Sequence, residues 1–255
     1  MEERQKNYTF AEGYELPSKG LIYDEKVNSH VELRPMSARD EMKRTAATTT
    51  PLKQLADIIE GCMIEKPGVH VYDMAFGDYE FLLHRLRVIT YGADYKMSVK
   101  CPFCGEMFDT TADLDKLTVK DFDENEFNAL KVIKLPDSSK TISLKIKTPR
   151  MLEEADIKAK ELKRKIKDGD MDYSAYINVC QAIGTIDGNK MKDYEIENFV
   201  DHMSAKDLRV IVIALEKLNS YVGVDNSIFL TCPKCKEDVL TFFRFGPEFF
   251  EPTNI

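Results

Sequence analysis

Cys101-Pro102-Phe103-Cys104-Gly105 and Cys232-Pro233-Lys234-Cys235 are two copies of one short pattern, set far apart in a chain of 255 residues. A two-residue spacer lets both thiolates of a turn reach the same ion, and four such thiolates make a closed tetrahedral Zn²⁺ site with no exchangeable position. Cys101, Cys104, Cys232 and Cys235 are therefore expected to hold one structural zinc that ties the middle of the chain to a segment near its end. A redox role for either pair is the weaker reading, because matched strands flank both.

The flanks extend the pattern outward. Residues 95–100 and 106–111 alternate around the first knuckle, and residues 227–231 and 238–243 alternate around the second, as hairpin strands do. Two strand–knuckle–strand units facing one ion predict a zinc-ribbon-like module. Between them lies an insertion of domain size. It opens with an acidic connector at 121–126, continues with a hairpin around Pro136-Asp137-Ser138-Ser139, and then turns helical over 149–167, 172–183, 193–202 and 205–221.

Upstream, the spacing predicts an extended arm, a half-buried strand from His30, and a helix over 38–44 capped by Ser37 and Asp40. A further helix starts at Pro51, whose missing N–H has no partner to lose at that position. Another runs over 77–90 and stops at Tyr91-Gly92. The expected fold class is α+β: a mainly helical body with small antiparallel sheets and the ribbon-like module. The expected parts are 1–94 (arm, small sheet and helices), 95–120 with 222–255 (the ribbon-like module and tail), and 121–221 (the inserted hairpin and helices).

Composition narrows the function. A hydrophobic content of 43% is enough for a real core, and 36 basic against 44 acidic side chains leave a formal charge of −8. That balance disfavours a free-standing binder of nucleic-acid phosphates or anionic lipid and favours protein partners. Neither hairpin presents a basic face, so nucleic acid is disfavoured as a partner. No apolar run is long enough to span a bilayer, and the first residues lack the apolar core of a secretion signal, which together predict an intracellular protein.

Other features have structural readings. Cys62 and Cys180 read as buried core thiols. The run from Lys158 to Lys167 reads as a solvated helix face, with Glu153, Glu154 and Asp156 suiting the helix start, or else as a dock for an acidic partner. Leu16, Pro17, Leu21 and Tyr23 in the arm, and Phe249 and Phe250 beyond Gly246-Pro247, are the candidate partner-binding residues. His30, His70, His84 and His202 are scattered without ligand spacing, and neither a phosphate loop nor a nucleophile elbow is present, so no catalytic residue and no enzyme activity is expected.

Several segments, taken in order, carry a family resemblance: Leu16-Pro17-Ser18-Lys19-Gly20-Leu21-Ile22-Tyr23, Leu33-Arg34-Pro35-Met36-Ser37-Ala38-Arg39-Asp40-Glu41, Leu86-Arg87-Val88-Ile89-Thr90-Tyr91-Gly92 leading to Tyr95, the first knuckle, and the second knuckle followed by Phe249-Phe250-Glu251-Pro252. Across nearly the whole chain they resemble the T4-like bacteriophage baseplate hub family of hub subunits and a hub assembly factor. The resemblance implies a protein made in the infected bacterial cytoplasm that helps to build the central hub of a contractile tail, with other hub or tail proteins as partners. It implies no catalytic residues. The alternative is a zinc-ribbon accessory protein of nucleic-acid or transcription machinery.

Overall fold

A computed structural model describes residues 10–23, 27–165, 172–243 and 247–250. Strands β1 (Glu12–Glu15) and β2 (His30–Leu33) pair antiparallel, with Gly13 opposite Glu32 and Tyr14 opposite Val31. Helices α1 (Ala38–Arg44), α2 (Pro51–Cys62) and α3 (Phe76–Tyr91) follow. The capping box is present at α1: Ser37 Oγ accepts from the Asp40 backbone N–H, and the Asp40 carboxylate accepts from the Ser37 N–H. Arg34 also donates to Asp40 at 2.8 Å. That hydrogen bond and those from Ser37 outweigh the carboxylate's desolvation and hold its pKa down to about 2.

Strands β3 (Asp94–Lys100) and β4 (Met107–Asp113) form a hairpin, as do β8 (Ser227–Thr231) and β9 (Asp238–Phe242). Between the hairpins come α4 (Glu124–Leu130), β5 (Val132–Lys134), β6 (Thr141–Leu144), α5 (Pro149–Lys165), α6 (Tyr173–Ala182), β7 (Ile183–Ile186), α7 (Asp193–Asp201) and α8 (Ala205–Ser220). The three-stranded antiparallel sheet has the order β5-β6-β7. The chain is thus α+β, with helices and small antiparallel sheets.

Two elements depart from the sequence reading. The acidic connector contains α4: the Asp123 side chain caps the Glu126 N–H at 2.9 Å, and Phe127, 1% exposed, anchors the helix among apolar side chains. Residues 183–186 form β7, because Ile186 and Thr185 find register partners in Ile142 and Ser143 of β6. The helix expected over 172–183 therefore ends at Ala182, and the strand that follows it rests on pairing with a distant segment. Residues 166 and 167 of the expected 149–167 helix lie outside the described residues.

The buried apolar side chains form separate clusters. One gathers Leu16, Val31, Leu33, the inner faces of α2 and α3, Leu114, Leu117 and Val224, with Phe243, Phe249 and Phe250 packed into it. A second joins Phe122 and Phe127 to β6, β7 and the inner faces of α6, α7 and α8. Backbone bonds between distant segments run from the Lys120 N–H to the Gly223 carbonyl, from the Asp225 N–H to the Thr118 carbonyl, and from the Phe76 N–H to the Lys147 carbonyl. Gly77 makes this approach possible, since a Cβ there would lie 2.1 Å from the Val222 carbonyl oxygen.

Polar anchors from distant segments complete the frame. Thr50 makes no side-chain cap at α2. The buried Glu153 carboxylate of α5 accepts from the Leu52 and Lys53 N–H groups at 2.9 and 3.3 Å, and from the Tyr72 hydroxyl at 2.8 Å. Glu153 was expected to suit the start of its own helix; it caps α2 instead. Asp207 of α8 likewise accepts from the Asp137 and Ser138 N–H groups in the β5–β6 turn.

Candidate metal centre

Each knuckle is built by its own backbone. The Cys101 N–H donates to the Glu106 carbonyl and the Gly105 N–H to the Cys101 carbonyl; in the second knuckle the Cys232 N–H donates to Glu237 and the Lys236 N–H to Cys232, all between 2.8 and 3.0 Å. The two turns share a left-handed residue, Gly105 at φ 75° and Lys236 at φ 66°. Glycine takes that conformation without a Cβ penalty, whereas lysine does not.

The knuckles meet tip to tip. Cys101 Sγ lies 3.6 Å from Cys235 Sγ, Cys104 Sγ lies 3.7 Å from Cys232 Sγ, and all four sulfurs fall within 4.8 Å of one another. These separations are far beyond a disulfide bond of about 2.05 Å. Cys101 and Cys232 are buried, while Cys104 and Cys235 are half-buried. Val99, Leu230 and Val239 pack beside them in a small apolar cluster. Lys234 Nζ bonds Glu106 Oε2 across the two knuckles at 2.8 Å.

Backbone donors tune the sulfurs. The Cys235 N–H, with that of Lys234, brings the Cys232 thiol down to about 7. At Cys235 the Glu237 N–H acts in the same sense, but burial and the neighbouring thiols prevail and push that thiol up to about 12. Soft sulfur donors crowded this closely could hold a single metal ion, and a bound cation would favour thiolates at all four positions.

The other candidate residues are dispersed. Ser18 donates to the buried Asp78 carboxylate through its N–H at 3.0 Å and its hydroxyl at 2.5 Å, and the Tyr23 hydroxyl donates to it at 2.5 Å. This pins the arm to α3. Leu16 is 1% exposed and Pro17 is buried; Tyr23 is half-buried, and only Leu21 presents a large exposed apolar surface, at 51%. The expected exposure of Phe249 and Phe250 is corrected, since both are fully buried. Phe249 stacks at 5.4 Å from Tyr95, and Arg44 lies over the Phe250 ring, so the pair serves this chain's own core.

Cys62 is buried as expected, whereas Cys180 is half-buried. His84 is buried in α3, its Nε2 lies 3.0 Å from the Leu114 carbonyl, and burial lowers its pKa to about 4. Lys158, Lys160, Lys163 and Arg164 are exposed on α5. The reading from sequence passed over the exposed apolar face of the second hairpin. There Phe229 is paired opposite Leu240, with Phe242 two residues on; these side chains are 69%, 48% and 58% exposed. The strand alternation was the available signal, because it places these three on one side of the ladder.

Helices and short antiparallel sheets, with two hairpins converging through four cysteines, define an α+β protein with a tetrathiol candidate metal centre. The family model described as T4 bacteriophage base plate protein matches residues 14–251, and the chain belongs to that family. No curated protein and no solved structure matches the chain. Among the described residues, no helix is long and apolar enough to cross a membrane.

Proposed function

We propose that this chain is a structural or assembly protein of the baseplate hub, acting by protein–protein contact as the central hub of a contractile tail is built. The family match over residues 14–251 carries the reading. The partners are other hub or tail proteins, the place of action is the infected bacterial cytoplasm and the tail baseplate, and no reaction is assigned. The exposed apolar side chains of Leu21 and of Phe229, Leu240 and Phe242 support a contact role.

In this reading Cys101, Cys104, Cys232 and Cys235 bind one structural Zn²⁺ in a ribbon-like module formed by residues 95–120 and 222–255. That module joins the 1–94 body to the 121–221 insertion. A tetrahedron with zinc–sulfur bonds of about 2.3 Å has sulfur–sulfur edges of about 3.8 Å. The sulfur separations of 3.6 and 3.7 Å fit that figure. Zinc with four thiolates carries a formal charge of about −2 and leaves no open position, which suits bracing and not catalysis.

The test is co-purification of the tagged full chain with baseplate intermediates from infected cells, together with filter binding to DNA and RNA at physiological salt. Stoichiometric recovery with hub or tail proteins, and no nucleic-acid retention, is the expected result. Tight, salt-sensitive retention of nucleic acid with no baseplate partner would shift the assignment to the nucleic-acid class.

A further inference from the structure

The second hairpin has an open edge. The Cys232 N–H donates to the Glu237 carbonyl and the Phe243 N–H to the Asn226 carbonyl, and these two pairs frame the β8–β9 register. Bonded and non-bonded pairs alternate along an antiparallel ladder, so Leu230 with Val239 and Ile228 with Thr241 exchange backbone bonds across it. The N–H and carbonyl groups of Leu240 and Phe242 therefore point away from β8, and among the described residues nothing bonds them. The side chains of the same two residues, with Phe229 across the ladder, are exposed and apolar. The first hairpin is guarded differently. At its matching outward positions β3 carries Lys96 and Lys100 and β4 carries Asp109, all exposed. Charged side chains along an edge deter strand pairing, whereas β9 has only Asp238, at its knuckle end, bonded by the Thr231 hydroxyl at 2.9 Å.

We propose that β9 pairs antiparallel with β9 of a second copy of this chain, about a twofold axis at Thr241, to make one four-stranded sheet across two molecules. In that register Leu240 lies opposite Phe242 of the second copy, and Phe242 opposite its Leu240. The outward N–H and carbonyl groups of these residues then exchange four hydrogen bonds. Aliphatic and aromatic side chains facing each other across the seam are favourable pairs. The two Asp238 carboxylates fall six positions apart along the seam, roughly 20 Å at about 3.3 Å per residue, so no like charges are opposed. Each copy carries −8 overall, but charges farther apart than about 8 Å are largely screened at physiological salt. A twofold axis supplies the matching register by symmetry, because the same patch serves both copies. Two phenylalanines and a leucine exposed to this degree offer roughly 300–400 Å² per copy. A lasting dimer needs about 800 Å² per partner, so the contact is a weak, concentration-dependent one. This inference goes beyond the hub reading and does not depend on it.

The test is sedimentation equilibrium of the full-length, metal-loaded protein from about 5 µM to about 500 µM, with amide hydrogen exchange at both ends of that range. The expected result is a monomer–dimer equilibrium with a Kd on the order of 0.1 mM. The Leu240 and Phe242 amides should gain protection as the dimer forms, while those of Val239 and Thr241 stay protected throughout. Leu240→Lys and Leu240→Pro should each raise the Kd at least tenfold, the first by placing a charge in the seam and the second by removing an N–H that only the second copy uses. Phe103→Ser, at an exposed aromatic of the other knuckle, should leave the Kd unchanged. If Leu240→Pro lowers protection at Val239 and Thr241, the hairpin itself is damaged and Leu240→Lys decides. A monomer at every concentration, a dimer without new protection at Leu240 and Phe242, a dimer that survives Leu240→Lys, or one abolished by Phe103→Ser would overturn the proposal. Protection of those amides only when a different protein is added would likewise reject the second copy as the occupant.

Discussion

With the four cysteines holding an ion as proposed, removing it should melt the two-hairpin module while sparing the body built around α2 and α3. Among the described residues, the buried aliphatic side chains of the apolar cluster between the hairpins are Val99, Leu230 and Val239. At about 1.5–3 kcal/mol for each complete burial, they contribute roughly 5–9 kcal/mol before the entropy of ordering four strands is set against them. Structural zinc sites bind with about 10–16 kcal/mol, so a zinc ion bound as proposed would stabilise the module more than its apolar packing does. The cross-link is also long in sequence: Cys104 and Cys232 are 128 residues apart, and closing such a loop removes about 5 kcal/mol of chain entropy from the unfolded state. Hydrogen exchange should therefore show amides of β3, β4, β8 and β9 losing protection when a chelator strips the ion, with α2 and α3 keeping theirs. Metal analysis should find one zinc per chain before treatment, and Cys232→Ser should lower zinc content and hairpin protection together. A verified metal-free protein with undiminished hairpin protection would refute this account of the two-hairpin module.

Glu153→Ala should cost about 3–5 kcal/mol in urea unfolding at pH 7, because it strips two N–H groups of α2 and the Tyr72 hydroxyl of their acceptor; Tyr72→Phe should cost about 1 kcal/mol. Lys236→Gly should raise the stability of the metal-loaded protein by about 0.5–1 kcal/mol, since the left-handed turn position then carries no Cβ; a loss of stability in denaturant unfolding would reject that explanation. Burial pushes the Glu80 carboxyl up to about 7 from an ordinary 4.5, only partly offset by Lys120 and Lys147. The folded state therefore holds this proton more tightly than the unfolded state, and its contribution to stability falls as pH rises from about 4.5 through about 7. Glu80→Gln should gain at most about 3 kcal/mol at pH 8 and nothing at pH 4, as read from paired denaturation curves.

Local chemistry made much of the fold legible. The start of α1 rests on Ser37 and Asp40, α2 begins at Pro51, and Ser204 caps Asp207 at the start of α8. The hairpins were readable for the same reason, since alternation and a cysteine turn lie within one stretch of chain. The cysteine spacing marked all four sulfur donors, and the structure gathers those four side chains. Lys158, Lys160, Lys163 and Arg164 on α5 are exposed as read, but the role of Glu153 was not legible, because it has the local signature of a helix-start carboxylate while its partners lie across the fold.

Spacing, caps and alternation depend on neighbours within a few residues, so the amino-acid order alone determined the helices other than α4, the two knuckles and the candidate ligand set. The tertiary structure decided whatever needed a partner from another segment: β7 exists because β6 is beside it, and Phe249 and Phe250 are core because α3 and Tyr95 receive them. The arm at Leu16 to Tyr23 is held by Asp78 and leaves Leu21 exposed. An aromatic or a serine has the same local signature in a core as on a docking surface, and burial is settled only when the surfaces meet.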